Sequence, residues 1–227
     1  MDQFQFVGAG IYSIPEASRL TDVSAARIRR WLKGYDFQGK KERRHSNPVW
    51  TGQLDPVDGK VAVGFRDLME VRYVDRFLKA GVSWKTMRLA HEAAKVKLGS
   101  NHPFCTHQFG TDGRKILLEQ AQRAGDLCLI DITNDQAEFD KIVHPFLKEL
   151  DFDGGVTRWW PLGKQRLVVV DPIKNLGQPT VATSGIPTRV LAQSVTANKS
   201  AEVVARWYEA TTEEVRDACE FENSLAA

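Results

Sequence analysis

Cysteine is scarce in this chain of 227 residues: Cys105, Cys128 and Cys219 lie far apart and are odd in number. A disulfide framework is therefore not expected, and reduced thiols are. No apolar run is long enough to span a bilayer, and the first residues lack the basic-then-apolar pattern of a secretion signal, so the expectation is a cytoplasmic protein that does not engage a membrane. A glycine-rich phosphate loop, a nucleophile elbow and a paired-carboxylate motif are also missing. His91 and His144 fall on predicted helices with no Cys or Ser nucleophile beside them, and Asp151 to Asp153 and Asp171 read as turn residues. No enzymatic activity and no cofactor is expected. His102, Cys105 and His107 are metal-ligand types, yet no second cluster follows to close a zinc site, so no metal is assigned.

The apolar fraction of 42% and charged fraction of 26% are those of a folded protein. The length suits one large domain or two to three small ones. The net charge of +2 hides an asymmetry. Residues 1 to 100 carry 18 Lys and Arg against 11 Asp and Glu, whereas residues 101 to 227 carry 13 against 18. Phosphate binding through counterion release needs clustered cations, so a nucleic-acid surface is expected in the first half and a different partner for the second.

Residues 12 to 34 read as two short helices joined by a tight turn. Ser13 caps the first, with Pro15 in its first turn and Glu16 three residues on, as in a capping box. Ala17 and Leu20 face inward. Thr21, Asp22 and Val23 make the turn, and Ser24 caps a second helix whose Ala25, Ile28, Trp31 and Leu32 form one stripe, closed by Gly34. Arg27, Arg29, Arg30 and Lys33 lie off that stripe, where a recognition helix places side chains for phosphates and base edges. A solvated basic face is the alternative. Beyond Gly34, Lys40, Lys41, Arg43, Arg44 and His45 sit in a polar loop. Residues 49 to 63 then read as a hairpin around LDPVDGK, a wing that carries Lys60.

The order Tyr12, Ser13, Glu16, Ala17, Leu20, Thr21, Val23, Ser24, Ile28, Arg29, Arg30, Trp31 resembles the start of a MerR-type winged helix-turn-helix, a DNA-binding family. The resemblance implies that Ser24, Arg27, Arg29, Arg30 and Lys33 contact double-stranded DNA, with Lys40, Lys41, Arg43, Arg44 and Lys60 in support. Members commonly carry Gly where this chain has Asp22.

Two amphipathic helices follow, from Phe65 to Ala80 and from Ser83 to Gly99, and in the resemblance such helices complete the fold and support a homodimer or higher oligomer. From residue 101 to 170 the periodicity changes. Lys115 to Leu118, Leu127 to Ile132 and Leu167 to Val170 are short apolar segments beside a helix at Gln136 to Leu150, and a small mixed α/β region is expected. Trp159 and Trp160 would face opposite sides of a strand, one buried and one at an interface.

In residues 171 to 227, Asp171-Pro172, Gly177, Pro179, Gly185 and Pro187 mark turns around a strand at Thr180 to Ala182. A helix starts at Thr188. Ser200 and Thr212 cap two more, with Val203, Val204, Trp207, Val215, Ala218 and Cys219 as their shared core, so a second helix-turn-helix is expected. The run Asp171-Pro172, Gly177-Gln178-Pro179, Gly185-Ile186-Pro187-Thr188 and Trp207-Tyr208 before an acidic helix resembles the antitoxin-type family catalogued as domain of unknown function four-three-three. Its members resemble VapB-type antitoxins and are often encoded beside PIN-like ribonuclease toxins. Residues 200 to 227 hold Arg206 and Arg216 against seven acids, which phosphate would repel and a protein partner would not. Arg206, Trp207, Tyr208, Glu213, Glu214 and Asp217 are the partner-binding candidates, with the aromatics as anchors or, alternatively, as core.

The expected fold is α+β and mainly helical, with a winged helix-turn-helix over 1 to 100, a mixed region over 101 to 170 and an antitoxin-type module over 171 to 227. The expected function is that of an antitoxin that binds its own operator and neutralises a PIN-like ribonuclease. The alternative is a MerR-like regulator whose middle region senses a small molecule, against Trp159 and Trp160.

Overall fold

Capping explains where the first helices begin. In the computed structural model, which describes Phe6, residues 8–39 and residues 42–225, the backbone N–H of Ser13 donates to Glu16 (2.7 Å) and the Glu16 N–H donates back to the Ser13 hydroxyl (3.3 Å). This reciprocal box opens α1 (Ile14–Thr21). Asp22 ends it in the left-handed region (φ 55°), a conformation that aspartate tolerates better than most residues other than glycine. Ser24 caps α2 (Ala25–Lys33) through the Arg27 N–H. Phe4 and Val7 lie outside the described residues.

The described residues form two units. The larger comprises Tyr12–Leu147 and Phe152–Val156. After α2 it continues as an antiparallel hairpin, β1 (Tyr35–Gln38) and β2 (Arg43–Ser46), which pairs Tyr35 with Ser46 and Gln38 with Arg43. Gly34 makes the entry possible. Its φ is +73°, and a Cβ there would lie 2.2 Å from the Ser46 carbonyl oxygen.

The hairpin therefore precedes the segment expected to form it. Between residues 49 and 63 the LDPVDGK turn is present, with Asp58 and Gly59 at positive φ and Val57 and Lys60 bonded to each other. Its flanks do not pair together. Val63 pairs with Tyr12, and Val49 and Trp50 enter the core. Burial of large apolar side chains, each contributing about 1.5–3 kcal/mol, prevails over the local hairpin pattern.

Helices α3 (Phe65–Lys79) and α4 (Trp84–Leu98) follow, the latter capped by Ser83. A 3-10 turn at Pro103–Cys105 leads to α5 (His107–Ala124), α6 (Leu127–Asn134) and α7 (Gln136–Lys148), which has Pro145 inside it. The segments Lys115 to Leu118 and Leu127 to Ile132, expected as strands, are thus helical. A short apolar run fits either period, and here the caps decide. Thr106 accepts from Phe109 N–H, Gly125 closes α5 at φ 68°, and Asp126 accepts from Leu129 N–H.

At the centre, Tyr73 packs against Phe77, Phe104, Phe109 and Phe146, with ring centroids 4.7 to 5.3 Å apart. Its hydroxyl is buried and has no hydrogen-bond partner, and burial followed by the Glu70 charge pushes its pKa up. Tyr73→Phe is therefore expected to stabilise the protein by about 1 kcal/mol, read as a higher urea midpoint at unchanged slope.

The smaller unit joins Lys148–Asp151 and Thr157–Ala227 with the described part of Met1–Ile11. A four-stranded sheet runs in sequence order through β3 (Leu150–Asp153), β4 (Gly155–Trp159), β5 (Val168–Val170) and β6 (Pro179–Val181), of which β5 and β6 lie wholly in this unit. Helices α8 (Thr188–Asn198), α9 (Ala201–Trp207) and α10 (Thr212–Ser224) complete it around Val181, Leu191, Val204, Ala205, Val215 and Ala218. Ser200 caps α9, whereas Thr211, not Thr212, caps α10, in a capping box with Glu214.

Asp217 is buried and accepts from Arg166 Nε and Leu167 N–H, each at 2.9 Å. Burial raises its pKa, but these bonds outweigh burial and hold it below the usual carboxylate value. Glu214, bonded to Thr183 and Thr211, is lowered by the same balance. A depressed folded-state pKa gives stability that is present above the unfolded value and lost as pH falls through the folded one. Hydrogen-exchange protection of β5 and α10 should therefore drop between about pH 5 and about pH 3, and by less in Asp217→Asn.

Among the described residues no helix is long and apolar enough to cross a membrane.

Candidate nucleic-acid interface

α2 is amphipathic, and its apolar stripe orients its cations. Ile28 and Trp31 are buried, and Trp31 stacks on Trp84 of α4 at 5.3 Å. Val49 N–H donates to the Trp31 carbonyl at 2.8 Å, which ties the chain beyond the hairpin to the end of the helix. Arg29 and Lys33, four residues apart, are exposed on one face, and among the described residues no ion pair engages either. Arg30 is exposed, with its guanidinium 5.4 Å from the centre of the Tyr35 ring.

Arg27 differs from these three. Its Nη1 lies 3.0 Å from Asp75 Oδ1, and its guanidinium lies over Trp31 at 5.1 Å. Asp75 is a buried carboxylate of α3, held also by Lys79 at 3.0 Å, and Lys79 reaches Asp22 at 3.3 Å. This chain of charges links the turn between α1 and α2 to α3. The hydrogen bond to Asp75 is the main cause of the raised pKa of Lys79. Sequence pattern did not single out Asp75, although one signal was present: an acid on the same helical stripe as Leu68, Val71 and Leu78 must either be paired or distort the core.

In the hairpin, Arg43 and Arg44 are exposed and sit beside acids, Arg43 3.3 Å from Asp36 and Arg44 3.5 Å from Glu42. His45 Nδ1 is 2.7 Å from Asp36, and that bond holds the Asp36 carboxyl below its usual range. Arg88 of α4 fastens the end of the hairpin, donating to the Ser46 hydroxyl and the Pro48 carbonyl at 2.8 Å each and also to the Asn47 carbonyl. Lys60 is exposed at the Asp58-Gly59 turn. Lys40 and Lys41 lie outside the described residues. α2 and the hairpin together thus present Arg29, Arg30, Lys33, Arg43 and Arg44 to solvent, while Ser24 and Arg27 hold the helix in place.

The partner-binding candidates divide in a similar way. Trp207 is 62% exposed and so is not core. Arg206, its neighbour in sequence, and Glu213, in the first turn of α10, are exposed, and Tyr208 is half-buried with its hydroxyl 3.1 Å from Ser194. Glu214 and Asp217 are turned inward, their oxygens taken by Thr183, Thr211, Arg166 and Leu167, so neither offers a carboxylate to a partner. Trp159 is buried and donates to Glu149, and Trp160 is half-buried and donates to Asp151, so both indole N–H groups are satisfied inside the smaller unit.

His102, Cys105 and His107 do not converge. His102 bonds Asp67 at 2.8 Å, Cys105 donates to the Arg66 carbonyl, and His107 packs edge-on to Phe152. Among the described residues no group of three or more His, Cys, Asp or Glu is placed to hold a metal.

No family model matches the chain. It is 26% identical over 226 residues to a Mycobacterium tuberculosis protein named "Putative antitoxin VapB45", an alignment that covers 92% of each. The X-ray crystal structure of Rv2018 from Mycobacterium tuberculosis superposes with a TM-score of 0.73 at 23% identity, covering 93% of this chain and 98% of that one. The chain thus shares the Rv2018 fold along almost its whole length and resembles a protein bearing an antitoxin name over the same extent.

Proposed function

We propose that this protein is the antitoxin of a toxin–antitoxin pair, binding its own operator through α2 and the β1–β2 hairpin and neutralising a PIN-like ribonuclease through α9 and α10. The similarity to the antitoxin-named relative over 92% of both chains carries the reading. The outward cations of α2, followed directly by a basic hairpin, support the DNA half as a winged helix-turn-helix. The exposed Trp207 on an acidic helix pair supports the partner half, because desolvated tryptophans are common anchors of protein interfaces. A homodimer would present two copies of α2 to the two halves of an operator.

Two measurements test the two halves separately. Gel-shift titration against the DNA upstream of the gene should show binding that weakens steeply between about 50 and about 200 mM salt; salt-insensitive or absent binding removes the operator half. Co-purification with the product of the adjacent gene, and inhibition of its ribonuclease activity, tests the other half, and failure of both removes it. Trp207→Ala should weaken the toxin complex by about 2 kcal/mol while changing folding stability by less than about 0.5 kcal/mol. Equal loss of both, measured by calorimetric titration and urea unfolding, would return Trp207 to a structural role.

A further inference from the structure

Within the larger unit, α5 and α7 turn facing stripes toward one another across a cleft of about 460 Å³, a size that suits a small ligand. Its apolar wall is Phe139 and Val143, both buried, with the half-buried Leu118 opposite. Its polar wall holds two cations, Arg114 and Lys115, with His144 and one acid, Asp140. Lys115 and His144 stand exposed at the rim, and Arg114 lines the side, fixed by bonds from Nε to the Thr133 carbonyl (2.7 Å), from Nη2 to the Asn134 carbonyl (3.2 Å) and from Nη1 to Gln136. All those acceptors are neutral, so a half-buried guanidinium is locked in place without a carboxylate. The acid at the cleft, Asp140, accepts a hydrogen bond from Gln136.

Gly110 lies on the same face of α5, where a Cβ would sit 3.3 Å from Leu147. A glycine inside a helix costs about 0.5–1 kcal/mol relative to alanine, and at this wall it lets Leu147 of α7 come close to the α5 backbone at one end of the cleft. An apolar wall, a preset guanidinium and a second cation at the rim together suit a flat body bearing one negative charge.

We propose that the cleft between α5 and α7 binds a small aromatic carboxylate, its ring against Phe139 and Val143 and its carboxylate between Arg114 and Lys115. The site does not depend on the antitoxin reading. It places small-molecule recognition on α5 and α7 rather than at Trp159 and Trp160.

The test is calorimetric titration of the full chain with 1-naphthoate and with neutral 1-naphthamide, repeated on Lys115→Glu and on Lys85→Glu, an exposed α4 control outside the cleft. The expected result is saturable binding of the carboxylate, at least about fivefold tighter than the amide, and weakened at least about fivefold by Lys115→Glu but not by Lys85→Glu. Amide chemical-shift changes should cluster at Gly110, Leu118 and Val143. No saturation up to about 10 mM, equal affinity for the two ligands, equal effects of the two variants, or shift changes centred elsewhere would each overturn the proposal.

Discussion

Asp67→Ala is expected to unfold the larger unit at ordinary temperatures. Asp67 is fully buried near the start of α3, and its two oxygens accept from four groups: Trp50 Nε1 (2.9 Å), Gln53 N–H (3.0 Å), Gly64 N–H (2.9 Å) and His102 Nε2 (2.8 Å). These bonds close the α3 N-terminus, pin the segment after the β1–β2 hairpin and anchor the turn before α5. Alanine leaves those donors facing an apolar cavity, at about 1–3 kcal/mol for each that water cannot reach. A total near 5 kcal/mol approaches the whole stability of a typical domain, about 5–15 kcal/mol. Asparagine is not a rescue. Either orientation of its amide turns N–H groups toward donors and forfeits the bonds on that side. Loss of amide protection from residues 50 to 104 in Asp67→Ala, and a clear fall in the urea midpoint in Asp67→Asn, are the outcomes to measure. A wild-type midpoint in Asp67→Ala would show that water or rearrangement satisfies all four donors.

Arg27→Ala and the pair Arg29→Glu/Lys33→Glu should fail in opposite ways. Removing Arg27 leaves buried Asp75 with Lys79 alone, a loss of about 1–2 kcal/mol because Arg27 is partly exposed and the second cation remains. Its DNA affinity should fall only as far as α2 loosens. Arg29 and Lys33 stabilise nothing internal, so reversing both should leave the folding midpoint within about 0.5 kcal/mol. On the proposed interface, the same change should weaken operator binding by at least about 100-fold and flatten its salt dependence by about two counterions. Circular-dichroism melts beside gel shifts at two salt concentrations separate the cases. Undiminished operator binding by the double variant would sink the assignment of α2 to the DNA interface.

The exposure of Trp207 and the burial of Glu214 and Asp217 have one origin. Helix α10 turns Asp217 toward the residues before β5, where Arg166 and the Leu167 N–H take it up, and Glu214 toward Thr183 and its own N-cap Thr211, whereas α9 ends at Trp207, which stays largely exposed. The acidity of this end, counted along the chain, therefore overstates what a partner would meet. Part of it is consumed within the module.

Features set within four or five residues were legible in the amino-acid order. The boxes and caps at Ser13, Ser24, Ser83 and Ser200, the stops at Gly34 and Gly99, the apolar stripe of α2 and the mainly helical α+β class all follow from short-range hydrogen bonding and periodicity. In the hairpin of β1 and β2 only the first strand alternates, Tyr35 and Phe37 with Asp36 and Gln38, while the second, RRHS, is wholly polar; the pair is held by cross-strand contacts around Asp36 and fastened by Arg88, more than forty residues further on. The apolar runs Lys115 to Leu118 and Leu127 to Ile132 fit either period, and the caps that make them helical are at Thr106 and Asp126. Sequence alone thus determined where cations are concentrated and which segments can be helical. Tertiary structure decided which charges remain at the surface, because a carboxylate at position 67, 75 or 217 becomes internal only when donors distant in the chain arrive to replace its water.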